Sequence, residues 1–133
     1  MRLHGKTAII TGAATGVQGS IMGFGGATAW RFLKEGAKVV ISDINTELGQ
    51  MTVTQMKSAG FAAEFIEHDV TVDSEWEKVV DFTCNLFGGL NILVNNAGNS
   101  ARFSVEETTE DIWDQQMDVH AKSIFLGSRH AIP

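Results

Sequence analysis

What this chain of 133 residues lacks narrows its identity before any motif is considered. It has one cysteine, Cys84, so no internal disulfide framework can form; that side chain reads as a small apolar filler in a helix rather than a reactive thiol. It has no basic block: ten Lys and Arg stand against sixteen Asp and Glu, a net charge of −6 that argues against a nucleic-acid surface. No apolar run approaches the roughly 18 residues of a membrane span. The apolar strand that opens at Thr7 follows a short polar start and has no cleavage pattern behind it, so no secretory leader is read. A cytoplasmic, reducing setting is the default for such a chain. Proline occurs once, at Pro133, and tyrosine is absent.

Glycine is abundant, with 14 residues, six of them between Thr11 and Ala29 in TGAATGVQGSIMGFGGATA. The segments around that run alternate in type. Lys6–Thr11 reads as a buried strand ending at Gly12, and Ala27–Glu35 as a helix with Ala29, Phe32 and Leu33 on one side and Gly36 as its stop. Lys38–Ser42 is a continuous β-branched strand, expected to be covered on both faces. Thr46–Ala59 reads as a helix, Ala62–Glu67 as a third strand, and Leu90–Val94 as a fourth. Ser74–Glu77 matches a capping box ahead of a helix carrying Trp76, Val79, Val80 and Thr83, which Gly88 and Gly89 end. Thr109 can cap a last helix running toward Pro133. Strands and helices in strict alternation predict an α/β fold, a doubly wound parallel sheet of Rossmann type.

The glycine run follows a strand and opens a helix, the context in which glycines bind phosphate. A helix start offers unpaired amides and the positive end of the macrodipole, and glycine lets the backbone approach an anion. No Lys follows the glycines as GK[ST], which disfavours a P-loop. Asp43, at the end of the second strand, can accept both ribose hydroxyls of an adenosine and would repel a 2′-phosphate. Its neighbours Ile44 and Asn45, and Thr15 before Gly16, provide no arginine for that phosphate, so NAD is expected over NADP.

TGAATG at Thr11–Gly16, Asp69-Val70 and NNAG at Asn95–Gly98 together resemble the classical short-chain dehydrogenase/reductase family over essentially the whole chain. The resemblance implies that Gly12 and Gly16 line a pyrophosphate turn with Val17 close by. It implies that Asp69 bonds the adenine amino group beside Val70, and that Asn95, Ala97 and Gly98 border the cofactor ribose and steady the sheet. The implied strand order is 3-2-1-4, with residues 1–133 an NAD-binding domain incomplete relative to the family. Two departures stand out. Deleting Gln18–Phe24 restores the family pattern T-G-x-x-x-G-x-G, so the chain carries seven extra residues inside the phosphate turn. Their glycines, each costing roughly 1 kcal/mol in a helix interior, favour a loop over a prolonged helix, and the displaced helix start is expected to weaken cofactor binding. His120 stands where the family has an Asn that organises a proton relay; a histidine there can donate or accept, or be a half-buried helix residue with a satisfied ring.

The family's chemistry uses a Tyr, a Lys four residues later and an upstream Ser, and this chain has no Tyr. The resemblance therefore implies no catalytic residue here, and no metal ligands are read. Fold and motifs leave two readings: the cofactor half of an alcohol–ketone oxidoreductase, inactive alone, or a non-catalytic dinucleotide-binding or interaction module that pairs with an intact relative. An unrelated Rossmann protein such as a methyltransferase is disfavoured by NNAG and Asp69-Val70. Strand four would be a sheet edge, so self-association through that edge or the last helix is expected.

Overall fold

A computed structural model describes residues 1–133. The elements alternate along the chain: β1 (Thr7–Thr11), α1 (Phe24–Lys34), β2 (Lys38–Asp43), α2 (Thr46–Ser58), β3 (Ala63–Glu67), α3 (Asp73–Phe87), β4 (Ile92–Val94), α4 (Glu110–Met117) and α5 (Ser123–Ala131). All strand pairs are parallel, and the four strands lie in the order β3-β2-β1-β4. The doubly wound sheet of order 3-2-1-4 is thus the one the motifs implied.

Strand alternation divides the core between two faces. Ile10, Ile41 and Phe65 are in register and point to one face with Val39, where they meet Ala29, Trp30 and Leu33 of α1 and Val53 and Met56 of α2. Ile9 and Val40 point to the other, against Val79 of α3, with Leu93 packed alongside. Trp76 of α3 is fully buried there, donates its indole N–H to the Val70 carbonyl at 2.9 Å and packs with Leu126 of α5. Helices α1, α2 and α3 stop where the sequence indicated, at Gly36, Gly60 and Gly88, whose positive φ closes each turn.

Four details differ from the sequence reading. Helix α1 begins at Phe24 rather than Ala27, with Gly23 as its cap. The capping box at Ser74 does not form: α3 starts at Asp73 after Val72, with no side-chain cap, and Glu75 instead reaches back to accept the Asp69 amide at 2.6 Å. Strand β4 is only three residues long. The last helix is two: Thr109 caps α4 by accepting the Ile112 amide, but one turn of π-helix, Asp118–Lys122, separates α4 from α5. The inserted residues up to Gly23 form a loop, as their glycines favoured. Ile21 and Phe24 lie almost fully in solvent, 98% and 89% exposed, because the excursion leaves the body of the sheet.

Candidate functional site

The carboxyl ends of the four strands open into a cavity of about 790 Å³, walled on the far side by α4 and the π turn. A crevice at that end is where an open parallel sheet binds ligands. Gly12 leaves β1 with φ +63°, and a Cβ there would stand 2.6 Å from the Ala97 Cα, so only glycine lets the β1 exit pass beneath the segment after β4. Asn96 ties the two together. Its side-chain amide donates to the Thr11 and Gly12 carbonyls at 2.9 and 3.0 Å, and the Asn96 and Ala97 backbone amides both donate to Thr11 Oγ1 at 3.0 Å.

The acid that ends β2 lies at the wall, half-buried. Asp43 Oδ2 accepts the Ala14 amide at 3.1 Å and Oδ1 accepts the Asn45 amide at 3.0 Å, so the carboxylate is oriented by backbone. Asp69 is oriented in the same manner: Oδ1 accepts the Thr71 hydroxyl at 2.7 Å and the Thr71 amide at 2.9 Å, and these bonds hold its carboxyl below the usual carboxylate range. Beside it His68 is buried, and burial pushes its pKa down to about 4 against the opposing pull of Glu75 and Asp69.

The structure brings Gly12, Thr15, Asp43, Ile44, Asp69, Val70, Ala97 and Gly98 to one cavity. It leaves Gly16, Val17 and Asn95 outside the lining. Gly16 is buried and turned inward: its amide donates to the Ala14 carbonyl at 2.9 Å and to Thr52 Oγ1 at 3.2 Å, while its carbonyl accepts the Trp30 indole N–H at 2.6 Å. Gly26 packs against that turn so closely that a Cβ would stand 2.3 Å from the Thr15 carbonyl. Asn95 faces a smaller cleft of about 420 Å³ between β4 and α5. His120 is exposed in the π turn, not half-buried in a regular helix. Its Nε2 lies 2.8 Å from the Asn99 carbonyl and 3.3 Å from the Asn99 amide, and Gln116 donates to Asn99 Oδ1 at 2.9 Å, so the segment after β4 is clipped to the α4 side.

Sequence reasoning missed Asn96, Thr52 and the acidic wall. Asp111, Asp114 and Asp118, spaced along α4 into the π turn, join Asp43 and Asp69 around the cavity, and no Lys or Arg lines it. The spacing of the three was readable as one helix face; that this face meets the sheet was not. Such a wall favours a ligand of few negative charges. Two oriented carboxylates able to accept hydroxyl or amino donors and a glycine exit that a Cβ would close fit the adenosine end of a dinucleotide. No group of three or more His, Cys, Asp or Glu could hold a metal ion, and no helix is long and apolar enough to cross a membrane.

Comparison with known proteins agrees with this geometry. A family model described as short chain dehydrogenase matches residues 6–133. A 2,5-dichloro-2,5-cyclohexadiene-1,4-diol dehydrogenase of Sphingobium indicum is 41% identical over 132 residues, 99% of this chain and 50% of that protein. An NADP-dependent (R)-specific alcohol dehydrogenase of Lentilactobacillus kefiri is 35% identical over 98% of this chain and 49% of its own. The crystal structure of a short chain dehydrogenase/reductase from Burkholderia phymatum in complex with NAD superposes with a TM-score of 0.89 at 28% identity, covering 100% of this chain and 45% of that one. The chain spans about half the length of the curated relatives it matches. A parallel sheet of order 3-2-1-4, a glycine turn locked beneath the β4 exit and a family match over nearly every residue together show that this chain belongs to the short-chain dehydrogenase family.

Proposed function

We propose that residues 1–133 form the NAD-binding unit of an oxidoreductase that moves hydride between a nicotinamide cofactor and an alcohol or ketone. The observation that carries this reading is the Asp43 carboxylate at the cavity wall, aimed by the Ala14 and Asn45 amides, with no cation among the lining residues. Asp43 accepts the adenosine ribose hydroxyls and repels a 2′-phosphate, so NAD is taken over NADP. Asp69 accepts the adenine amino group with Val70 beside the ring. Gly12, Thr15, Ala97 and Gly98 border the diphosphate and sugar, and Ile44 covers the ribose from solvent. The bound nicotinamide supplies or accepts the hydride; these 133 residues bind and orient it, and none is assigned a catalytic role. A second reading is a non-catalytic dinucleotide-binding or interaction module that pairs with an intact relative. Self-association through β4 or α5 and a cytoplasmic location complete the proposal.

Calorimetric titration with NAD and with NADP tests it. NAD should bind at least roughly tenfold tighter, the worth of about one charge-assisted contact, and Asp43→Asn should erase most of that difference. Equal affinities in the parent chain would remove the cofactor assignment. Assay of secondary-alcohol oxidation with NAD separates the two readings: turnover that copurifies with the chain supports the enzyme, and binding without turnover supports the module.

A further inference from the structure

One buried side-chain polar atom in the molecule has no hydrogen-bond partner, His68 Nε2. The residue is 1% exposed, yet it borders the cavity. Its ring is held on two sides. Nδ1 lies 3.0 Å from Ser42 Oγ, and the Trp76 indole meets the ring edge to face with centroids 4.4 Å apart. Ser42 is itself fully buried, and the His68 ring is the partner its hydroxyl has. The hydroxyl therefore donates to Nδ1, which places the ring hydrogen on Nε2. Stranding that N–H lowers stability, whereas an aliphatic side chain would fill the space with no orphaned atom. Stability alone does not account for a histidine here.

Position does. Ser42 immediately precedes Asp43, and His68 immediately precedes Asp69. The β2–β3 ladder ends at the pair Asp43 and Glu67. Beyond it the two strand ends are joined by the His68 amide donating to the Asp43 carbonyl at 3.0 Å and by the Ser42–His68 side-chain bond. Each carboxylate is already tied to nearby backbone, Asp43 to Ala14 and Asn45, Asp69 to Thr71. How far apart the two carboxylates stand thus depends on how the strand ends are clasped.

We propose that His68 is a positioning residue: through its bond to Ser42 it clasps the ends of β2 and β3 and sets the spacing of Asp43 and Asp69 for the adenosine end of a dinucleotide. The proposal rests on the dinucleotide reading above. The unpartnered nitrogen is the cost of the clasp, carried because the opposite nitrogen must face Ser42.

The test is the double variant Ser42→Ala/His68→Leu, which removes both partners and the orphaned atom together. Its unfolding midpoint should equal or exceed the parent's, while NAD and ADP-ribose should bind roughly tenfold more weakly, the net worth of about one hydrogen bond. Unchanged affinity overturns the proposal, and so does a loss of affinity matched by a loss of stability, which is what a merely structural histidine gives. If the double variant does not fold, His68→Asn and His68→Gln decide the matter. An Asn amide reaches the place of Nδ1 and should retain affinity within about twofold, whereas a Gln amide reaches the place of Nε2 and should lose it; the reverse order overturns the clasp. Amide hydrogen exchange without ligand gives an independent reading. Faster exchange in the double variant than in the parent at Asn45, Thr71 and position 68, with β1 unchanged, supports the clasp, and unaltered exchange at those three overturns it. A parent chain that binds no dinucleotide refutes the function proposed above, while the exchange result still decides the role of His68.

Discussion

Burial keeps the His68 imidazole neutral, with its pKa at about 4, whereas the same ring in an unfolded chain titrates near 6.5. The native state thus binds the proton less readily than the unfolded state. The stabilisation is complete above pH 6.5 and is lost as pH falls through the window down to about 4, in total roughly 3 kcal/mol. Urea unfolding across that window should show the parent losing stability faster than the Ser42→Ala/His68→Leu variant; parallel slopes would remove His68 from the acid sensitivity. At Gly12 the constraint is steric. Gly12→Ala sets a Cβ 2.6 Å from the Ala97 Cα on a backbone with φ +63°. Strain of this kind costs about 1–3 kcal/mol, and an unfolding midpoint unmoved by the change would show that the turn relaxes freely. At this scale the sequence displayed Gly12 and Asp43 through local chemistry, a glycine after a strand and an acid at a strand end, and Asp69 through the family resemblance; all three line the cavity. It did not display Asn96 as the tie between β1 and β4, since that role exists only once Thr11 and Gly12 lie beneath it.

Elements carry the two departures from the family pattern. The inserted loop lies outside the cavity lining, and the Gly16 amide beside it is engaged by Thr52 and Ala14. The cavity wall therefore includes Gly12 and Thr15 but neither Gly16 nor Val17. Deleting Gln18–Phe24, which restores the shorter turn, is expected to tighten NAD binding several-fold in a side-by-side titration; equal affinity in the two chains would acquit the insert. On the other face, Gly127 of α5 lets the helix sit against Trp76, and a Cβ there would stand 2.6 Å from the indole Cη2 and 2.9 Å from Asn95 Oδ1. Gly127→Ala should cost about 1–3 kcal/mol by overpacking, read as a lowered urea midpoint with the far-UV spectrum retained. The π turn explains why a single last helix was expected and two were found. Apolar spacing continues through Asp118–Lys122, and one extra residue in a turn leaves that spacing nearly intact while re-aiming α5. The missed capping box has a similar origin: Glu75 satisfies the Asp69 amide, a partner six residues upstream that a local cap pattern does not include.

For the whole molecule, the sheet order leaves β4 at an edge, flanked by α5 and by a cleft lined by Leu90, Ile92 and Leu93. Trp113 and Phe125 are each 60% exposed on the neighbouring helices. An apolar edge and apolar helix faces of this kind favour association. Sedimentation velocity over a wide concentration range is expected to show species larger than a monomer, and a clean monomer at the highest concentration would count against it. The net charge of −6 opposes non-specific clumping, so added salt should favour the larger species by screening it.

The sequence by itself determined the alternation of elements from β1 to β4, the stops of α1, α2 and α3 and the motifs that mark the family, because alternation, glycine at a positive φ and an acid at a strand end are all written within a few residues. The tertiary structure alone decided which groups face the cavity. It turned Gly16 inward, sent Asn95 to the opposite cleft, brought three aspartates of α4 and the π turn across from Asp43, and joined Ser42 to His68. Each of these rests on contacts between segments far apart in the chain, whose pairing depends on how helices settle on a twisted sheet and leaves no local trace.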